Sequence, residues 1–120
     1  MTRRQLAESV NCGLGECAIR LRMAAYFVAQ YVVRNPELYK EYQAGAGPTI
    51  SASGGELIVF DIASESIEGN PPGPQTVILK FEDVQAAKAW YNSADYQAVV
   101  GKRLESTEGF AVISESMNFG

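Results

Sequence analysis

Two kinds of hydrophobic period alternate along the chain from residue 24 onward. Ala24 to Val33 reads AAYFVAQYVV, a run of β-branched and aromatic residues that predicts a strand. Its alternate positions, Tyr26, Val28, Gln30 and Val32 against Phe27, Ala29, Tyr31 and Val33, make two largely apolar faces. Asn35-Pro36-Glu37 then carries a helix start: Asn at the N-cap, Pro at the first helical position and an acid in the first turn. Leu38, Tyr39 and Tyr42 follow at helical spacing, and Gly45, Gly47 and Pro48 predict a kink or break before Thr49. Gly54-Gly55 supplies a left-handed C-terminal cap.

A second strand is predicted over Glu56 to Ala63 (ELIVFDIA) and a third over Thr76 to Phe81 (TVILKF), with the irregular GNPPGP loop of residues 69–74 between them. Asp83 caps a second helix whose inner face holds Val84, Ala87, Trp90 and Tyr91. Asn92-Ser93 interrupts it, and Ser93 caps a further turn or two bearing Tyr96, Val99, Val100 and Arg103. Gly109 to Ser114, GFAVIS, is the last strand. The order β-α-β-β-α-β is α+β and ferredoxin-like, with an antiparallel sheet. Two helical segments cover one face of such a sheet, and a solvated second face would alternate apolar with polar. These strands hardly alternate, so the second face is expected to meet the same face of another copy, giving a homodimer.

Composition narrows the function. The 120 residues suffice for one ordinary domain, and 47% hydrophobic against 20% charged residues is a globular balance. No apolar run approaches the roughly 18 residues of a membrane span, so no membrane partner is expected. A net charge of −4 excludes the basic surface that nucleic acid needs. The absence of histidine removes Ser-His and Cys-His nucleophile pairs and His-ligated zinc or haem. No cofactor is expected.

Charge and cysteine set the first 22 residues apart. They carry a net +2 and both cysteines, Cys12 and Cys17, whereas the other 98 residues carry −6. A C-x4-C pair with no further Cys or His is two ligands short of a zinc site, so no metal is expected. Residues 1–22 read as a disordered extension or as a start placed too far upstream, and residues 23–120 as the domain. A chain otherwise free of cysteine fits a reducing cytoplasm.

The segments AAYFVAQYVVRNPELYKEY, IEG and KFEDVQAAKAWYNSADYQAVVGKR, with the step from Tyr39 to Gly54-Gly55, resemble the uncharacterised bacterial "domain of unknown function 1330" family. The likeness spans about Met23 to Glu115 and is most specific in AWYNS with Tyr96 and Gln97. It implies a dimeric α/β barrel, a ferredoxin-like variant, and no established activity. The chain departs from the family pattern at Glu56, where a basic residue usually follows the Gly pair. It departs again at Phe60-Asp61-Ile62, where Arg-Gly-Gly is frequent. An anionic ligand held by those basic groups in relatives would lose them here.

Several side chains offer chemistry, each with a plainer alternative. Tyr39 and Tyr42, three apart, can pack on the sheet or turn phenols to a ligand. Tyr96 and Arg103, seven apart, share a helical face; Arg103 can pair with Glu105 or Asp95, or clamp a substrate carboxylate. Trp90 reads as core and Ser93 as an N-cap. Asp61 is either an edge-strand charge or a buried catalytic acid. The expected ligand site is therefore Tyr39, Tyr42, Tyr96 and Arg103, suited to a small carboxylate or carbonyl compound with an apolar body. Catalysis, if present, would be cofactor-free proton transfer or isomerisation, and a non-catalytic structural or interaction dimer is the alternative.

Overall fold

The computed structural model describes residues 23–117; the expectation for residues 1–22 lies outside them. The elements run β1 (Ala25–Val33), α1 (Pro36–Ala52), β2 (Glu56–Asp61), β3 (Gln75–Phe81), α2 (Val84–Tyr91), α3 (Ala94–Ser106) and β4 (Thr107–Glu115). All strand pairs are antiparallel, and the sheet order is β2-β3-β1-β4. This is the expected ferredoxin-like α+β arrangement, with β2 at an edge.

Each helix begins where its cap residue dictates. Asn35 Oδ1 accepts from the Leu38 amide at 3.2 Å, Asp83 Oδ1 from Ala86 at 2.8 Å, and Ser93 Oγ from Tyr96 at 3.2 Å, so each cap satisfies an amide that the first turn leaves open. At the far end of α1, the Gly54 amide donates to Ser51 O and the Gly55 amide to Ile50 O. With Gly54 at φ 77°, this is a Schellman ending.

The expected break at Gly45–Pro48 does not occur; α1 runs unbroken to Ala52. A proline inside a helix costs about 3 kcal/mol. Here packing on both sides of it offsets that cost: Ala46 is buried and Ile50 packs on the core. The Thr49 hydroxyl donates to Ala46 O at 2.7 Å and accepts from Trp90 Nε1 at 3.0 Å. Gly45 serves the interface with α3, since a Cβ there would lie 2.6 Å from Val99 Cγ1. The third helix is also longer than expected and passes directly into β4.

Strand pairing assigns the two faces. Ala25, Phe27, Ala29 and Tyr31 of β1 pair with Phe81, Leu79, Val77 and Gln75 of β3 and face the helices, where the core lies. Trp90, fully buried, sits at its centre with Phe27, Phe81 and Tyr96 around it. The opposite face presents Val28, Ile78, Phe110 and Val112 in the middle, with Gln30, Thr76, Lys80 and Ser114 toward the rim. Phe110 and Val112 are nearly half exposed, at 46% and 47%. In β2 the pairing slips between Leu57 and Val59, leaving Ile58 as the extra residue of a bulge.

Candidate functional site

The cap at Asn35 fixes the phase of α1, and that phase turns Tyr39, Tyr42 and Ala46 toward the sheet. The cap at Ser93 does the same for Tyr96, Val100 and Arg103 of α3. Four phenols thereby meet in two hydrogen-bonded pairs. Tyr42 and Tyr96 lie 2.8 Å apart, hydroxyl to hydroxyl, as do Tyr31 and Tyr39. Gln75 Nε2 donates to the Tyr39 hydroxyl at 2.7 Å.

Arg103 stands behind these pairs with only 5% of its surface exposed. Its guanidinium carbon lies 6.0 Å from the Phe27 ring centre and 5.7 Å from that of Tyr31, which is cation–π range. Tyr96 and Tyr42 couple to it electrostatically, and among the described residues its Nε finds no partner. Among the described residues the ion pairs are Arg34–Glu108 and Lys102–Glu41, and Arg103 belongs to neither. The expected pairing with Asp95 or Glu105 is replaced by a setting of phenols and ring faces.

Burial dominates the electrostatics of the site. It pushes the phenols of Tyr31, Tyr39 and Tyr42 above their ordinary 10.0, so all three are neutral hydroxyl donors at physiological pH. Burial also opposes the charge on Arg103, but Tyr96 and Tyr42 outweigh it, and the guanidinium stays protonated above its ordinary range.

A cleft of about 150 Å³ opens between α1 and the β2–β3 side of the sheet. Its floor is Phe27, Val77 and Leu79, its outer wall Leu57 and Phe60, and Tyr31, Tyr39 and Tyr42 also line it. Of the four expected site residues, Tyr39 and Tyr42 line the cleft. Tyr96 and Arg103 touch the same network from behind and do not reach the cleft surface. Tyr31 and Gln75 belong to the network without having been singled out. Their signal was phase: Gln75 sits two residues before Val77 on the inward face of β3, a polar group in an apolar register.

The remaining candidates resolve simply. Asp61 is exposed on the edge strand and accepts from the Ala63 amide at 2.8 Å, so it is not a buried acid. Ser93 is the N-cap of α3 and Trp90 is core. No group of three or more His, Cys, Asp or Glu side chains comes together among the described residues, and no helix among them is long and apolar enough to cross a membrane. A second hollow, at the β4 side beneath Tyr91, is lined otherwise by Phe27, Ala111, Val112 and Ile113 and lacks a convergent polar set.

Comparison with known proteins places this geometry among ferredoxin-like folds. The structure is similar to the RPA0582 protein of unknown function from Rhodopseudomonas palustris, at 15% identity and a TM-score of 0.66 over 83% of this chain and 89% of that one. It is similar to a candidate antibiotic biosynthesis monooxygenase from Caulobacter crescentus CB15, at 14% identity and 0.57 over 82% and 92%. A dimeric ferredoxin-like protein of unknown function from Thermobifida fusca aligns at 11% identity and 0.53 over 81% and 92%. At these identities the likeness concerns the fold alone. No curated protein matches the chain. A family model, described as a domain of unknown function (DUF1330), matches residues 24–117.

Proposed function

The chain belongs to the domain of unknown function (DUF1330) family, and on that premise we propose that its cleft binds a small organic carboxylate or carbonyl compound with an apolar body. One observation carries the reading: a buried guanidinium outside any ion pair of the described residues, next to phenols that border an apolar cleft. An unpaired buried cation is costly to a fold, and a ligand oxygen at the cleft end would offset part of that cost. Leu57, Phe60 and Val77 would cover the apolar body, while Tyr39 and Tyr42 would receive the oxygen. The same groups suit cofactor-free proton transfer or isomerisation, because neutral phenols can share or deliver a proton. A purely structural dimer would need neither the cleft nor the cation.

The second part of the proposal is assembly. The open sheet face, apolar at its centre and polar at its rim, has the make-up of an interface between copies. Two such sheets face to face would make the dimeric α/β barrel. The Thermobifida fusca relative is described as dimeric. A cytoplasmic setting accords with the lack of cysteine beyond residue 17.

Calorimetric titration with benzoate and hexanoate tests the binding reading. Saturable binding that is weakened in Arg103→Met and unchanged in an exposed-surface variant such as Lys40→Ala supports it. Failure of both acids to bind, together with failure of a neutral aryl ketone, overturns it.

A further inference from the structure

The hydrogen-bond network allows its protons to be counted. Arginine can only donate, and the Arg103 guanidinium couples electrostatically to Tyr96. Tyr96 is fully buried and borders no part of the cleft. Its one proton needs an acceptor, and Tyr42 at 2.8 Å is there. If Tyr42 donated to Tyr96 instead, the buried Tyr96 proton would have no hydrogen-bonded acceptor among the described residues, at the cost of an unmade hydrogen bond. The pair therefore runs from Tyr96 to Tyr42, with Arg103 behind Tyr96, and the Tyr42 proton is left over on a residue that lines the cleft.

The second chain counts the same way. Gln75 Nε2 donates to Tyr39, and Tyr39 shares one proton with Tyr31. Two phenols hold two protons, of which their mutual bond uses one. Whichever way that bond points, the remaining proton lies on Tyr39 or Tyr31, both of which line the cleft. Each pair ends at a phenol with a proton to give.

We propose that the cleft is a subsite for hydrogen-bond acceptors, reading a carbonyl or oxyanion oxygen through the protons of Tyr42 and the Tyr31–Tyr39 pair. Arg103 is then a positioning residue. It does not touch the ligand; its charge orients and polarises Tyr42 through Tyr96. This rests on the reading that the cleft binds a small molecule and adds which group it selects. A ligand ending in ammonium would meet donors facing donors and be rejected, whatever the fit of its body. Because the phenols stay neutral when buried, the selection holds across the physiological pH range.

Four probes of similar body on the full chain test it: acetophenone labelled with ¹³C at the carbonyl, benzoate, benzylammonium and ethylbenzene. Acetophenone and benzoate should bind at least tenfold tighter than ethylbenzene, and benzylammonium should not bind measurably. The carbonyl stretch of bound acetophenone should lie below its value in an apolar solvent. Tyr42→Phe should weaken acetophenone at least tenfold and return the stretch toward that value. Tyr96→Phe, which keeps the Tyr42 proton but cuts the link to Arg103, should return it part of the way; this variant decides the matter if Tyr42→Phe fails to fold. Equal binding of benzylammonium, or a stretch unmoved by Tyr96→Phe, overturns the inference and leaves the cleft as a general apolar site. Binding of none of the four overturns the inference and the underlying reading together.

Discussion

Tyr42 and Tyr96 stand 54 residues apart in sequence, and their hydroxyl oxygens meet at 2.8 Å. That contact ties α1 to α3 at the point where both turn toward the sheet. It also separates a surface that a ligand can reach from a cation that it cannot.

Replacing the cation tests what it does for the fold. Arg103→Met keeps the apolar stem and removes a charge whose Nε is unsatisfied, while giving up contact with the Phe27 and Tyr31 rings. These effects oppose one another, so thermal denaturation should show a change under about 1.5 kcal/mol. Carboxylate binding should weaken by roughly 0.5–1.5 kcal/mol, the scale of an ordinary hydrogen bond, since Arg103 acts on the ligand only through Tyr96 and Tyr42. A large loss of stability with unchanged binding would make Arg103 a structural residue.

Alkaline pH should reveal the buried phenols. Their folded values lie above the ordinary 10.0 because burial disfavours the phenolate. The unfolded chain gives up its tyrosine protons near pH 10 while these phenols keep theirs. Stability is thus fully present below pH 10 and falls as pH rises above it, by up to about 1.4 kcal/mol per pH unit for each such tyrosine. Denaturant melts at pH 8 to 11.5 check this. Absorbance at the phenolate band should show these tyrosines ionising only together with unfolding; titration of all six tyrosines of the chain in the native state would contradict it.

Gly45 offers a test confined to packing. Its missing Cβ leaves room for Val99 Cγ1, and a methyl placed there must push α1 and α3 apart. Gly45→Ala should lower stability by about 1–3 kcal/mol despite the better helix propensity of alanine. Val99→Ala in the same chain should return a good part of that loss, and a double-mutant cycle measures the coupling. Additive effects would mean that the helices do not touch there.

The sheet face predicts the state of association. An obligate interface of this kind buries on the order of 2,000 Å² or more, so sedimentation equilibrium at micromolar concentration should find dimer and no monomer. Val112→Lys, at the middle of the face, should shift the population to monomer. A stable wild-type monomer would remove the barrel from consideration.

A chain beginning at Met23 should melt within a few degrees of the full one, since the sequence of residues 1–22 carries no periodic apolar face. Precipitation or loss of association of the shortened chain would assign those residues a packing role.

What could be read in advance was local. The caps at Asn35, Asp83 and Ser93 depend on a few adjacent residues, and all three formed as their sequences indicate. The spacing of Tyr39 with Tyr42, and of Tyr96 with Arg103, is a property of one helix, so their common faces were visible. Tyr31 and Gln75 were not, because they meet only through the pairing of β1 with β3, a contact across more than forty residues. Pro48 misled for the same reason: its local penalty is real, but the packing that overrides it comes from α2, through Trp90 and Thr49. Nor does residue spacing show that Arg103 would sit behind Tyr42 instead of beside it.

The bulge in β2 has a consequence for how one short strand serves two surfaces. Under strict alternation Leu57 would share its side with Val59 and Asp61. The extra residue, Ile58, slips the phase, so that Leu57 and Phe60 both fall on the helix side while Val59 and Asp61 turn the other way. Without that half-turn Phe60 would leave the cleft and its outer wall would be gone. Asp61 would then point into the apolar cleft instead of standing beside Thr76 at the rim of the sheet. A single inserted residue thus acts as a frame change in the strand, and the ELIVFD run is one message read in two registers.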